Sequence, residues 1–389
     1  MSTDNIIEKI FSDTLKTLSD LIAFKTVSGE SNIDLIDYCE KKLSKLGATF
    51  IRTYDQEKKR VNLFSTLNGN SNGNKKGIIF SGHTDVVPAS SRNWSSDPFV
   101  AVEKDNKLYG RGACDMKGFI ACALAFAPIF AAQKLKRPIH FSFTFDEETA
   151  CQGAPLLIKE LNKQNLDCDV CIVGEPTNMK AIDAHKGCYE YTTHFVGLAG
   201  HGSSPSKGVS AVEYAILFIN RLMQLREELK KRTPKNSIFS PPYTTLQIGR
   251  INGGIARNVI ADKCQVDWEL RPVTVEDGKY VNAEMDKFVK NDLLPKMKKV
   301  FPGSSITKEI IGEVIGFKKE EKSNACDLVC NLTGDNSRDV VSFGTEAGLF
   351  QKIGISTVVC GPGSIEQAHK PNEYVAFDQL KLCLKMFNG

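Results

Sequence analysis

The chain has 389 residues, of which 41% are hydrophobic and 25% charged, and 50 basic residues against 46 acidic ones give a formal charge of +4. That length favours two domains, the apolar content excludes wholesale disorder, and the balanced charge excludes the basic footprint of a nucleic-acid-binding protein. The densest basic run, REELKKR at 226–232, is interleaved with glutamates and reads as the wet end of a helix.

From the N-terminus, residues 4–24 place Ile7, Ile10, Phe11, Leu15, Leu18, Leu21 and Ile22 at helical spacing. The segment is acidic and has no basic n-region, so it does not read as a signal peptide, and a cytoplasmic protein is expected. A second helix is predicted over 32–46, stopped by Gly47, then strands at 48–54 and 61–67 and a polar turn at 68–76. GIIFS at 77–81 is a buried strand that runs into Gly82, His83, Thr84 and Asp85. In extended chain His83 and Asp85 lie on one side, which suits a histidine ligand oriented by a neighbouring carboxylate; alone, H-x-D is a weak signal.

YGRGACDMKG at 109–118 is a glycine-flanked loop leading into a helix predicted over 117–132. Taken singly, its Asp115 reads as a helix N-cap; a carboxylate held at the mouth of a sheet is the alternative. The apolar run 118–132 is shorter than the ~20 residues that span a bilayer and contains Pro128, so a buried core helix is expected and no membrane span. The next strand, 138–145, ends abruptly in Asp146, Glu147 and Glu148. Ionised acids are costly to bury unless paired or bound to a metal. Neighbours on an extended chain point opposite ways, so one glutamate can hold a cation while the other faces a reacting water; a solvated strand end is the bland alternative. A helix at 153–164 leads to CDVCIVG at 168–174, a strand ending in Glu175, and much later ISTVVC at 355–360 precedes a loop containing His369.

Between 186 and 316 the texture changes. A strand at 189–197 precedes a Gly/Ser loop around His201, followed by a long helix at 209–231, strands at 243–251 and 258–270, a helix at 276–299 and a closing strand at 306–315. This order fits a ferredoxin-like α+β module. A helix at 321–332 returns to the first domain, so the module is an insertion over 186–316 between two parts of a catalytic domain, 1–185 and 317–389. The expected fold class is α/β, a mostly parallel central sheet flanked by helices, plus the inserted module. Of the twelve cysteines, Cys122, Cys171 and Cys360 lie in apolar runs as buried reduced thiols would. The C-x-x-C of Cys168 and Cys171 lacks a second pair, and Cys326 and Cys330 are four apart; neither is a strong metal or redox signal.

Four apolar strands thus each deliver a metal-competent residue just beyond their C-terminal ends: His83, Glu147 or Glu148, Glu175 and His369. A glycine loop adds Asp115. In open α/β sheets that edge is where ligands bind, and independent caps and solvated ends would not fall that way repeatedly. Two imidazoles and three carboxylates without a thiolate suit Zn(II), or Co(II) or Mn(II), in a catalytic setting. Asp115 is the natural bridge between two ions, and the spare acid, Glu147, is left to move a proton from water to a leaving amine. His201 could donate to an oxyanion, although a surface-loop histidine is the favoured reading of that residue alone.

GIIFSGHTDVVP, YGRGACDMKGFIA, TFDEET, IVGEPT, GHGSSP, the GG-x-x-x-N of 253–258, FGTEAG and GPGSIEQAHKPNEY occur in this order over essentially the whole chain. Together they resemble the dinuclear zinc metallopeptidase and deacylase family. The resemblance implies that His83, Asp115 and Glu175 bind one metal and that Asp115, Glu148 and His369 bind the other, with Glu147 as general base and Asp85 orienting His83. It further implies a homodimer formed through the inserted domain, His201 reaching the partner subunit's site, and Asn258 and Arg271 contacting a substrate carboxylate. Thr345, Glu346 and the final loop resemble the branch that hydrolyses N2-acetyl-L-ornithine to acetate and ornithine in arginine biosynthesis, and Glu346 is expected to hold the substrate's distal amine. N-succinyl-diaminopimelate, another N-acyl amino acid or a dipeptide are the alternative substrates within the family. Outside it stand a two-metal phosphoesterase, for which the ligand loops supply only Arg111 and Lys117, and a non-catalytic metal-binding protein, in which Glu147 would have no role.

Overall fold

The computed structural model describes residues 3–67, 76–90, 93–164 and 167–389, so most of the polar turn expected at 68–76 lies outside the described residues. The chain forms two compact units, one of residues 1–184, 317–339 and 345–389 and the other of residues 185–316 and 340–344. The short segment 340–344, which the sequence places with the catalytic domain, joins the second unit; there Ser342 Oγ donates to the carbonyl of Ser240 at 2.8 Å.

The first unit is built on an eight-stranded sheet in the order Thr49–Tyr54, Val61–Leu67, Ile139–Thr144, Gly77–His83, Cys168–Val173, Ser356–Val359, Ala181–His185, Arg338–Val341. Its four central strands, Ile139–Thr144 through Ser356–Val359, run parallel. Val61–Leu67, Thr49–Tyr54 and Ala181–His185 are added antiparallel on the flanks. The central strands are buried along almost their whole length, as parallel strands covered by helices on both faces must be. The parallel register brings their C-terminal ends to one edge: His83 pairs with Thr144, Ser81 with Val173, and Val173 with Val359.

The helix Lys117–Ala132 is the core element beneath this sheet, buried continuously from Lys117 to Ala127. It packs on the amphipathic helix Thr3–Ala23 and on a C-terminal helix, Phe377–Asn388, which the sequence reading did not identify. Phe387 of that helix lies 4.6 Å from Phe80 and 5.6 Å from Phe119, ring centre to ring centre. Such edge-on aromatic pairs contribute about 1 kcal/mol each beyond their buried area. Gly174 lets the strand ahead of Glu175 pass close to this helix, since a Cβ there would sit 2.0 Å from the Phe119 ring.

The second unit has a four-stranded antiparallel sheet, ordered Thr245–Gly253, Lys263–Arg271, Cys188–Val196, Ser305–Val314. Helices Ala211–Lys231 and Val275–Phe288 cover one face, burying Tyr191, Phe218, Leu222, Trp268 and Met285. Ser210 and Thr274 cap them, accepting from the amides of Glu213 and Asp277. Two expected elements are divided. The strand expected at 258–270 breaks at Ala261 and Asp262, whose carbonyls accept the amides of Ala211 and Gly197, and its first part, Val259–Ile260, pairs with Gly200–His201 instead. The helix expected at 276–299 passes through a π turn at Val289–Leu293 before Leu294–Val300, where Pro295 removes a backbone donor. Among the described residues no helix is long and apolar enough to cross a membrane.

His140, on a central strand, is 3% exposed. Its ring stacks on Phe64 at 5.1 Å, its Nδ1 lies 2.9 Å from Thr66 Oγ1, and Nε2 has no hydrogen-bond partner among the described residues. Burial pushes its pKa down to about 4, whereas a free imidazole titrates near ~6.5. Between those values the unfolded chain takes up a proton that the folded chain does not, so stability is lost as pH falls from 6.5 towards 4, by roughly 3 kcal/mol in full. His140→Gln should lose this component: the difference in urea-unfolding free energy between wild type and variant should change in that sense between neutral pH and pH 4.5. A difference constant with pH would rule out a buried neutral imidazole.

Candidate metal centre

His83 is the last residue of its strand, Glu175 lies two residues past the strand Cys168–Val173, and Asp115 sits in the glycine loop before the core helix. His83 Nε2 is 3.0 Å from Asp115 Oδ1 and 3.8 Å from Glu175 Oε1. His369 Nε2 is 3.4 Å from Asp115 Oδ2 and 2.9 Å from Glu148 Oε2. Ligand-competent atoms therefore form two groups, His83/Asp115/Glu175 and Asp115/Glu148/His369, each within 4.8 Å, sharing Asp115 with one oxygen turned to each histidine. The N-cap reading of Asp115 is corrected: Met116 holds that position without a side-chain cap, because the Asp115 carboxylate turns to the sheet edge.

The backbone carbonyl of Asp85 lies 3.0 Å from His83 Nδ1. A carbonyl only accepts, so Nδ1 carries the proton and Nε2 is left facing the acids. The Asp85 carboxylate, 3.5 Å from Nδ1, instead accepts from Ser28 Oγ at 2.7 Å and from the amides of Glu147 and Glu148 at 3.0 and 3.3 Å. The two glutamates are not on extended chain as expected: Asp146 has φ +52°, and Cys151 N and Gln152 N fold back onto the carbonyls of Glu147 and Asp146. Asp146 is buried against the Arg60 guanidinium and accepts the Gly29 amide at 2.9 Å. Arg60, Ser28 and Gly29 carry no local signal of this duty, since they meet the site only through the tertiary fold.

Electrostatically the centre is overloaded with acid. Burial, reinforced by the neighbouring carboxylates, pushes Glu147 up to about 8 and Glu148 up to about 7, and takes Glu175 well above the ordinary range. Burial also works against ionised Asp115, but hydrogen bonds with His369 and His83 bring it below the ordinary range. Hydrogen bonds with Asp115 and Glu148 raise His369 to about 10. Glu175 Oε1 is buried with no hydrogen-bond partner among the described residues, an acceptor without a donor. An orphaned carboxylate oxygen amid two imidazoles and further acids fits divalent cations. Glu147 belongs to neither group; Cys151 Sγ approaches its Oε1 at 3.4 Å. All twelve cysteines are buried thiols outside any disulfide, and none belongs to a metal-competent group among the described residues.

The remaining candidates are placed differently. Thr345 and Glu346 are buried at 0% and 1% exposure. Glu346 accepts from Ser81 Oγ on one oxygen and from Thr144 Oγ1 at 2.9 Å on the other. Its carboxylate is thus held between two central strands by one hydroxyl on each oxygen. In the second unit, the backbones of His201 and Asn258 adjoin, Gly202 N donating to the Asn258 carbonyl at 2.8 Å, and both side chains are exposed. Arg271 lies at the far end of its strand, its Nη2 2.8 Å from Glu269 Oε2.

Residues 79–389 match the model of peptidase family M20/M25/M40. The chain is 37% identical to an acetylornithine deacetylase of Salmonella typhimurium over 314 residues, 81% of this chain and 79% of that one. Among solved structures, a di-peptidase of Saccharomyces cerevisiae aligns over 99% of this chain and 97% of that one with a TM-score of 0.76 at 17% identity. An M20 family metallo-carboxypeptidase of Sulfolobus solfataricus aligns over 96% and 97% with a TM-score of 0.72 at 18% identity. At those identities the likeness is one of fold. The family match spans both ligand groups, from His83 to His369, and the chain belongs to peptidase family M20/M25/M40, as a hydrolase of amide bonds.

Proposed function

We propose that the protein is a two-metal amidohydrolase that converts N2-acetyl-L-ornithine and water to L-ornithine and acetate, a step of arginine biosynthesis. The observation that carries the chemistry is the pair of ligand groups joined on Asp115, with Glu147 outside both. The choice of substrate is supported by the 37% identity to an acetylornithine deacetylase across 81% of the chain. His83, Asp115 and Glu175 would hold one divalent ion and Asp115, Glu148 and His369 the other, zinc foremost, with cobalt or manganese as substitutes. When bound, such ions lower the pKa of water and polarise an amide carbonyl.

Glu147 takes the proton of the attacking water and returns it to the leaving amine; it belongs to neither ligand group, which leaves its carboxylate open for this duty. Asp85 keeps His83 in one tautomer through its carbonyl and steadies Glu147 and Glu148 through their amides. His201 is proposed to donate to the developing oxyanion across a homodimer, and Asn258 and Arg271 to meet the substrate carboxylate, Arg271 on leaving Glu269. The dimer is inferred from the second unit. Its helix Ala211–Lys231 exposes Ile216 and Leu217, and its sheet-edge strand Thr245–Gly253 and the loop beyond expose Ile251 and Ile255, the last at 88%. Exposed apolar side chains at an open strand edge are what a second copy would cover.

Glu147→Ala should keep its bound metal, read by elemental analysis, and lose about 10²- to 10⁴-fold in kcat; undiminished turnover would remove Glu147 from the mechanism. With zinc-loaded protein, acetylornithine should be turned over in preference to N-succinyl-diaminopimelate and dipeptides. Preference for one of those moves the protein within its family, and cleavage of a phosphoester with no amide cleaved rejects the proposal. Sedimentation should give a dimer for the wild type and a monomer for Ile216→Glu combined with Ile255→Glu; a monomeric wild type would sink the role given to His201.

A further inference from the structure

Glu373 follows His369 by four residues in the final loop and is 1% exposed. Its carboxylate accepts four hydrogen bonds. Arg111 Nη1 at 2.6 Å and Gly112 N at 3.1 Å meet Oε2, while Cys114 N at 2.9 Å and Asp115 N at 3.0 Å meet Oε1. Its own backbone carbonyl accepts Gly110 N at 3.0 Å, and the residues that follow, Tyr374–Ala376, pair with Lys107–Tyr109. One buried acid therefore spans the loop that carries Asp115 and ties to it the segment that carries His369.

We propose that Glu373 is a positioning residue for the metal centre, setting the Asp115 carboxylate between the two ligand groups and holding the His369 loop against it. The inference rests on the two-metal reading given above. Successive backbone amides aimed at one point form an anion-binding nest, and a carboxylate has sites for the four donors that converge here. Arg111, itself 3% exposed and 5.3 Å from the Trp94 ring centre, balances the buried charge. Without Glu373 three amides and a guanidinium would be left as buried donors, and the loop would have to reopen to satisfy them. A glutamine has the same shape but only one acceptor oxygen, so its NH₂ would face donors.

The test is calorimetric titration of zinc chloride into metal-free protein, with urea unfolding of the same samples. Glu373→Gln should fold and bind both zinc ions about 10- to 100-fold more weakly than wild type, the range for groups that support metal ligands. Both ions should weaken because Asp115 belongs to both groups, whereas His369→Ala should weaken one. A Glu373→Gln variant with a lowered urea midpoint and wild-type zinc affinity would overturn the proposal, since that is the signature of a purely structural contact. Glu373→Asp keeps both acceptor oxygens on a shorter arm and should fall between the two, and it replaces the glutamine variant if that fails to fold. Weakening of roughly threefold or more then supports the proposal, and wild-type affinity rejects it. Wild-type protein that binds no zinc would instead refute the two-metal reading itself.

Discussion

A crowd of carboxylates at one edge of the parallel sheet is the constraint on which the rest of this structure turns. Ionised acids packed side by side repel one another, and burial withdraws the water that would screen them. The chain answers with donors where it can. Asp85 takes two amides and a hydroxyl, Asp146 an amide and a guanidinium, Glu346 two hydroxyls, and Glu373 three amides and a guanidinium. Asp115, Glu148, Glu175 and Glu147 are left unsaturated by these donors, and the first three face the two histidines. The division between structural and metal-competent acids is thus written in which lone pairs the protein itself fills.

That division needs a rigid platform, which the sheet supplies. Parallel strands end together, so His83, the Asp146–Glu148 turn and Glu175 reach one edge although they come from distant parts of the chain. The core helix Lys117–Ala132 lies under the same strands and begins one residue after the cap position that follows Asp115. Packing of Phe119 against Gly174 and Phe387 therefore also fixes where the Asp115 loop and Glu175 can sit. A core substitution at those positions acts on the metal centre through geometry, with no contact to a ligand.

The second unit follows a different logic. Its sheet buries one face under two helices and leaves the alternate residues of Lys263–Arg271 partly open. Its exposed apolar side chains include Ile216 and Leu217 on the helix Ala211–Lys231, Ile251 on the edge strand Thr245–Gly253 and Ile310 on the opposite edge strand, and an open strand edge is where a sheet can be extended by another copy of itself.

Much of this was legible in the residue order. Buried runs such as PIHFSFTF and CDVCIVG announce parallel strands because both faces need apolar side chains, and the repeated arrival of an acid or histidine at their ends marks a ligand-binding edge. Local rules failed where partners are remote. Asp115 obeys the spacing of a helix cap, yet its oxygens are claimed by His83 and His369, 32 residues before it in one case and far beyond it in the other. For Glu346, only the register of two central strands shows that Ser81 and Thr144 hold its carboxylate. Arg60 gave no periodic or motif signal, and Glu373, although inside GPGSIEQAHKPNEY, gave none of its partners, because a salt bridge or an amide nest is defined by what the fold brings within about 3 Å, a distance that sequence spacing does not encode. The sequence by itself determined which residue types reach the sheet edge; the tertiary structure decided which of their oxygens are left unfilled, since that depends on donors delivered by other parts of the chain.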